Sequence, residues 1–253
     1  MKQAIVTILF FISTVVLAQN ANELFITANS LYKGGKYQEA IKLYEKIEAS
    51  KKVSSELYYN LGNSYYKLNK VAPSIYNYEK ALLLNPTNKE AKNNLLIANK
   101  LTLDRIEELP KSIFQRIDES FLQKITYNSW AIITIILSSL AAVLYLLFYF
   151  SDTPSKKRLF FTTSILTFIL LIAAFIITYS QYNKSINTLE AIVFSEKVEI
   201  KNEPTKNANE LFVLHEGTKV QILDTVDEWC KIKLADGKTG WTLKKHVKML
   251  NFF

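Results

Sequence analysis

Two stretches of this chain carry no charge, one from Ile125 to Ser151 and one from Leu159 to Asn183. Residues 130–150 and 159–179 within them each supply about 20 residues, enough for a helix to cross a bilayer. Trp130, Tyr127, Tyr145, Tyr149 and Tyr179 stand near the ends of these segments, where amphipathic rings favour the headgroup layer. Residues 151–158 between them read SDTPSKKR, with Lys156, Lys157 and Arg158 against one acid, Asp152. The positive-inside rule makes this a cytoplasmic loop, so residues before and after the hairpin lie outside.

The N-terminus gives the same topology independently. Residues 1–18 have the form of a secretory signal peptide: Lys2, an apolar run to Leu17, and small residues at Val16-Leu17-Ala18. Cleavage after Ala18 is the first reading, and an uncleaved anchor helix is the alternative. The mean hydropathy of +0.06 averages these apolar segments with very polar ones.

Between the signal and the first span the chain repeats itself. ANSLYK at residues 28–33 returns as GNSYYK at residues 62–67, and Tyr44-Glu45-Lys46 returns as Tyr78-Glu79-Lys80. Ala40 and Ser74 keep the same offset of 34 residues, which is the period of a helix–turn–helix repeat. Ala28, Gly62, Ala40, Ser74 and Ala81 are small where helix axes must approach, and aromatics fill the space between. The second copy, Tyr58-x2-Leu61-Gly62-x2-Tyr65 with Ser74-x3-Tyr78-x2-Ala81 and Pro86, resembles the tetratricopeptide repeat family. Residues 21–109 read as one all-α domain, with repeats at 21–54 and 55–88 and a capping helix over 89–109. Its apolar face is Ala91, Leu95, Ala98 and Leu101. The resemblance implies a peptide-binding groove, with Asn29, Lys33, Tyr59, Asn63, Tyr66 and Lys67 as candidates. A merely solvated face is the alternative for Asn63 and Lys67. Residues 111–129 form an amphipathic pattern, with Ile113, Phe114, Ile117, Phe121 and Leu122 on one side. It lies in the membrane interface or packs on the repeats.

From Glu190 the period changes to two. AIVF, KVEIK, LFVL, KVQIL, WCKIKL and GWTL are six strand-like runs, and Asp236-Gly237 between two of them is a two-residue hairpin signal. Glu216-Gly217-Thr218, Trp229 and Asp236-Gly237-x2-Gly240-Trp241 together resemble bacterial SH3-like domains, placing a small all-β barrel at residues 190–250. The resemblance implies an aromatic groove with Phe212, Trp229 and Trp241 as candidates. Trp229 fits groove or core equally, and Trp241 fits core better.

Catalytic signals are missing. The two histidines, His215 and His246, have no metal-ligand neighbour at useful spacing. Six glycines form no phosphate-binding loop, and no nucleophile elbow occurs. Cys230 stands alone, so no intramolecular disulfide forms, and its alternating context reads as core. No catalytic residue, metal ligand or cofactor is assigned. The net charge of +8 is scattered among acids, which favours a membrane surface or acidic partner over nucleic acid.

The order of signal peptide, two helical repeats, membrane hairpin and SH3-like domain resembles the BatE family of the Bacteroides aerotolerance operon. That resemblance implies a multi-pass bacterial inner-membrane protein with both terminal domains in the periplasm. It also implies partners, namely von Willebrand A-domain membrane proteins and a MoxR-type ATPase complex, and a role in oxidative-stress tolerance or envelope maintenance. A peptidoglycan tether working through the SH3-like domain is the alternative.

Overall fold

The computed structural model describes residues 21–107, 109–113, 116, 118 and 121–250. The signal-peptide reading of residues 1–18 lies outside them, as do Phe114 and Ile117 of the amphipathic pattern. The chain divides into two compact units, residues 110–189 and the remainder.

In the first unit, five helices make the repeats: α1 (residues 21–33), α2 (Tyr37–Ala49), α3 (Ser55–Lys67), α4 (Val71–Leu84) and α5 (Lys89–Asn99). Local chemistry sets their ends. Ser54 caps α3 by accepting from the Leu57 amide at 3.1 Å, and Asn88 caps α5 through Ala91 at 2.9 Å. Asn85 before Pro86 terminates α4. Ala28, Ala40, Tyr44, Tyr58, Leu61 and Ala81 are fully buried in the repeat core. A methyl group on Gly62 would stand 2.7 Å from the Tyr78 ring, so this helix position has room for hydrogen only. The helix expected over 89–109 ends at Asn99. Past it, Leu101 is exposed rather than on the buried stripe, and the chain runs on as irregular backbone, anchored by Asp104.

Seven strands follow: β1 (Leu189–Val193), β2 (Lys197–Lys201), β3 (Glu210–His215), β4 (Lys219–Val226), β5 (Trp229–Lys233), β6 (Thr239–Leu243) and β7 (Val247–Met249). The sheet order is β3-β2-β6-β5-β4-β1-β7. The six-run reading missed β7, which is short and pairs with β1. The two-residue hairpin is at Asp227-Glu228, between paired Val226 and Trp229, with Asp227 at φ +48°. Asp236-Gly237 belongs instead to a longer loop, in which Leu234 N donates to Lys238 O at 2.9 Å and Gly237 takes φ +90°.

The repeats and the sheet share a core. Ile192 and Leu250 from the sheet region are buried together with Ala72, Ile75, Tyr76 and Ala98 from the repeats. Phe194 meets Tyr76 edge-on at 5.5 Å, and the Lys248 ammonium lies 4.4 Å above the Tyr76 ring. Two charged clusters flank this seam. Asp104 Oδ2 accepts from the His215 backbone amide at 2.7 Å and from Thr218 Oγ1 at 2.6 Å, while its Oδ1 lies 2.8 Å from His215 Nδ1. Lys219 bridges Glu79 at 2.9 Å and Glu190 at 2.8 Å. Burial alone would lower the Lys219 pKa, but the two carboxylates raise it above the ordinary lysine range. Gly217, at φ +88°, sits where a methyl group would lie 2.9 Å from Thr102 and 3.0 Å from Ile75.

The second unit contains α6 (Tyr127–Tyr149) and α7 (Pro154–Asn187), both long and apolar enough to cross a membrane. They pack through Ala141, Ala174 and Thr167, with Thr134 and Thr178 hydroxyls 3.2 Å apart. The expected loop at 151–158 is shorter. Pro154 starts α7, so Lys156, Lys157 and Arg158 lie in its first turns. Neither glycine nor a further proline interrupts the next 33 residues, and α7 outruns a bilayer core of about 30 Å. The amphipathic pattern over 111–129 is not one continuous helix. A 3₁₀ turn at Leu122–Lys124 and an extended Thr126 separate it from α6, where Thr126 accepts from the Ser129 amide. Trp130 Nε1 and Gln181 Nε2 both donate to the Leu122 carbonyl, at 3.2 and 2.6 Å, and Tyr127 meets Tyr182 at 6.0 Å.

Candidate functional site

The repeat that shapes the core also builds the candidate site. Tyr44 OH donates to Asn29 Oδ1 at 2.6 Å, and Asn60 Nδ2 donates to the same oxygen at 2.9 Å. One repeat later, Tyr78 OH and Asn94 Nδ2 each donate to Asn63 Oδ1 at 2.7 Å. Each of the three positions recurs after 34 residues. The asparagine oxygen thus spends both lone pairs tying the second helix of its own repeat to the first helix of the next. Burial pushes the Tyr44 hydroxyl up to about 12 and raises Tyr78 further, so both phenols stay protonated and donating near neutral pH.

Beside the second triad lies a groove of about 270 Å³. Tyr59, Asn63, Tyr66 and Lys67 of α3 line it, joined by Tyr32 of α1 and Asn94 and Ile97 of α5. Tyr78 forms part of its wall, its ring 6.3 Å from that of Tyr59. Lys67 supplies the only formal charge among the lining residues. Asn29 and Lys33 hold the matching places in the first repeat but do not line the groove. Asn94 was not singled out in the sequence; the signal for it was its 34-residue offset from Asn60. With Asn63 Oδ1 consumed, its amide N–H groups and the Asn94 carbonyl remain to meet a peptide backbone, beside the hydroxyls of Tyr32, Tyr59 and Tyr66 and the Lys67 ammonium.

On the sheet, Trp229 lines a separate cleft of about 440 Å³. Phe212 stands on β3 opposite Ile200, and Trp241 on β6 opposite Lys201; neither lines the cleft. Gly240 and Thr242 are buried while Trp241 is partly exposed, so the pleat turns Trp241 away from the core it was expected to fill. Lys231 lies 6.0 Å from its ring. His246 also lines the cleft, with Nδ1 2.7 Å from Ser195 Oγ; burial, then Lys245, lowers its pKa. Cys230 is buried and its thiol pushed up to about 11, mainly by desolvation. Among the described residues no cluster of histidine, cysteine and acidic side chains could hold a metal ion.

Comparison with known families agrees with this architecture. Residues 196–248 match the bacterial SH3 domain, and residues 24–50 and 55–88 each match a tetratricopeptide repeat model. No curated protein matches the chain. The protein therefore combines a helical repeat region, two long apolar helices and an antiparallel β region of SH3 type. Repeats of this kind suit protein–protein interaction, and bacterial SH3 domains suit protein or cell-wall ligands; both are typically non-catalytic.

Proposed function

We propose that this chain is a non-catalytic scaffold of the bacterial inner membrane, with its repeats and SH3-like domain both facing the periplasm. The groove beside the Asn63 triad carries the reading: aromatic walls, free amide groups and one ammonium suit an extended peptide with a carboxylate near Lys67. The core shared by residues on both sides of the apolar helices supports a common side for the two regions. The basic run at Lys156, Lys157 and Arg158 supports a cytoplasmic turn. By the BatE resemblance, the partners are von Willebrand A-domain membrane proteins and a MoxR-type ATPase complex, serving aerotolerance or envelope maintenance.

Crosslinking from native membranes, followed by mass spectrometry, tests this. Lys67→Ala should remove the captured partner without lowering thermal stability, because Lys67 is exposed. Undiminished capture would rule out the groove. A reporter active only in the periplasm, fused after Phe253, should be active; silence there would overturn the topology. A second reading, a peptidoglycan tether, rests on the SH3 match over residues 196–248. Cosedimentation of the full chain with purified sacculi would favour it.

A further inference from the structure

The cleft on the β-sheet holds more than an aromatic ring. β2 and β6 are neighbours in the sheet, yet they pair only at Lys201 and Trp241. Each remains laddered on its other side, β2 to β3 from Lys197 to Lys201 and β6 to β5 from Thr239 to Leu243. An antiparallel continuation would set Ile200 opposite Thr242 and Glu199 opposite Leu243, and that pairing is not made. The cleft opens in this gap, lined by Lys197, Val198 and Glu199 on one side and Thr242 and Leu243 on the other.

Two further observations point to a missing occupant. Thr242 is only 2% exposed, and its hydroxyl has no hydrogen-bond partner among the described residues. A buried hydroxyl left unpaired is costly and needs an explanation. The cleft is also cationic. Lys197, Lys201 and Lys206 face one acid, Glu199, and none of the three forms an ion pair among the described residues. Among the described residues, Lys201 Nζ donates only to the Lys206 carbonyl.

We infer that the cleft binds an extended acidic segment of a partner protein, laid alongside β2 where β2 and β6 separate. An added strand supplies backbone groups to the open edge and a partner to the Thr242 hydroxyl. Its side chains alternate, so acids four residues apart meet Lys197 and Lys201 on the outer face. The residue midway between them faces Glu199 and is neutral or basic. Trp229 and Leu243 take an apolar side chain. This site is distinct from the repeat groove and does not depend on it.

The test uses the full chain in nanodiscs, titrated with a ten-residue peptide in which valine alternates with glutamate and glutamine in turn, so that the glutamates fall four residues apart. A glutamine–valine peptide and soluble muropeptides serve as comparisons. The acidic peptide should bind at least about tenfold more tightly than the glutamine peptide, and more weakly as salt rises. Lys197→Gln with Lys201→Gln should weaken binding about tenfold. Thr242→Val should weaken binding while raising the melting temperature of the free protein, because it removes the orphan hydroxyl. Lys67→Ala should leave this binding unchanged, which separates the cleft from the groove. Equal binding of the two peptides would overturn the inference, as would an unaffected lysine double variant. Muropeptide binding without acidic-peptide binding would overturn it too, and would give the cleft to the cell wall.

Discussion

Asp104→Asn should loosen the seam between the repeats and the β-sheet. The Asp104 side chain is only 13% exposed and takes three donors, at 2.6, 2.7 and 2.8 Å. Asparagine preserves the shape but not the charge. Hydrogen bonds to a charged group contribute about 1.5–3 kcal/mol and neutral ones about 0.5–1.5. Losing charge assistance on the two Oδ2 bonds therefore costs about 2 kcal/mol in all. For a folded unit of this size that is about 4–8 °C in melting temperature, measured by calorimetry of the full chain in detergent. Asp104→Ala also orphans the Thr218 hydroxyl and the His215 amide, and should cost about twice as much. The pH dependence gives an independent check. Burial alone would raise the Asp104 pKa, but the His215 and Thr218 hydrogen bonds prevail and hold it below the ordinary carboxylate range. A depressed carboxylate contributes stability that is present above its unfolded value, about 3.9, and lost as pH falls through its folded value. The gap between wild type and Asp104→Asn should close as pH falls below about 4. A neutral-pH gap under about 1 °C, or one unchanged in acid, would refute the assignment of this carboxylate as the clasp.

Other positions give simpler tests. Gly62→Ala should destabilise the protein by about 1 kcal/mol: overpacking against Tyr78 and the Ser74 carbonyl costs about 1–3, and improved helix propensity returns about 1. A stabilised variant in calorimetry would contradict that close approach. Gly217→Ala should cost more, about 2 kcal/mol or above, since left-handed strain adds to the clash with Thr102 and Ile75; protease digestion should then cut near the seam sooner. Tyr44 and Tyr76 have hydroxyls pushed up to about 12, mainly by burial. A raised tyrosine contributes stability that is complete below its unfolded value, about 10, and lost as pH rises through the folded one. Tyr44→Phe removes that titration, so its deficit relative to wild type, set at neutral pH by the lost bond to Asn29, should narrow as pH rises from 10 to 12, with a smaller absorbance step at 295 nm.

Much of the helical architecture was legible because its causes are local or periodic. Pro86 marks a helix end beside where it acts, and the 34-residue echo exposes which positions must be small. Errors arose where no local signal existed. Lys156 to Arg158 read as loop because they are charged, yet Pro154 had already begun a helix. β7 is three residues long and is defined by its pairing with β1, not by its own pattern. Trp241 read as core because it is large, and only the register of β6 shows it on the outer face. Of the groove residues, Tyr59, Asn63, Tyr66 and Lys67 come together, while Asn29 is spent inside its own triad.

The sequence by itself determined the modules: two uncharged stretches long enough for a bilayer, a repeat period of 34, and a change to period-two strands after Glu190. It also singled out Gly62 as a place of close helix approach. Tertiary structure alone decided how the modules meet. Asp104 and His215 are separated by 111 positions and two apolar helices, and no periodicity links them. Their pairing follows from which faces remain uncovered once each module has folded, with Tyr76 and Ala72 on one side and Ile192 and Leu250 on the other. The gap between β2 and β6 is of the same kind. Both strands are readable from alternation, but where their ladder stops is seen only in the folded sheet.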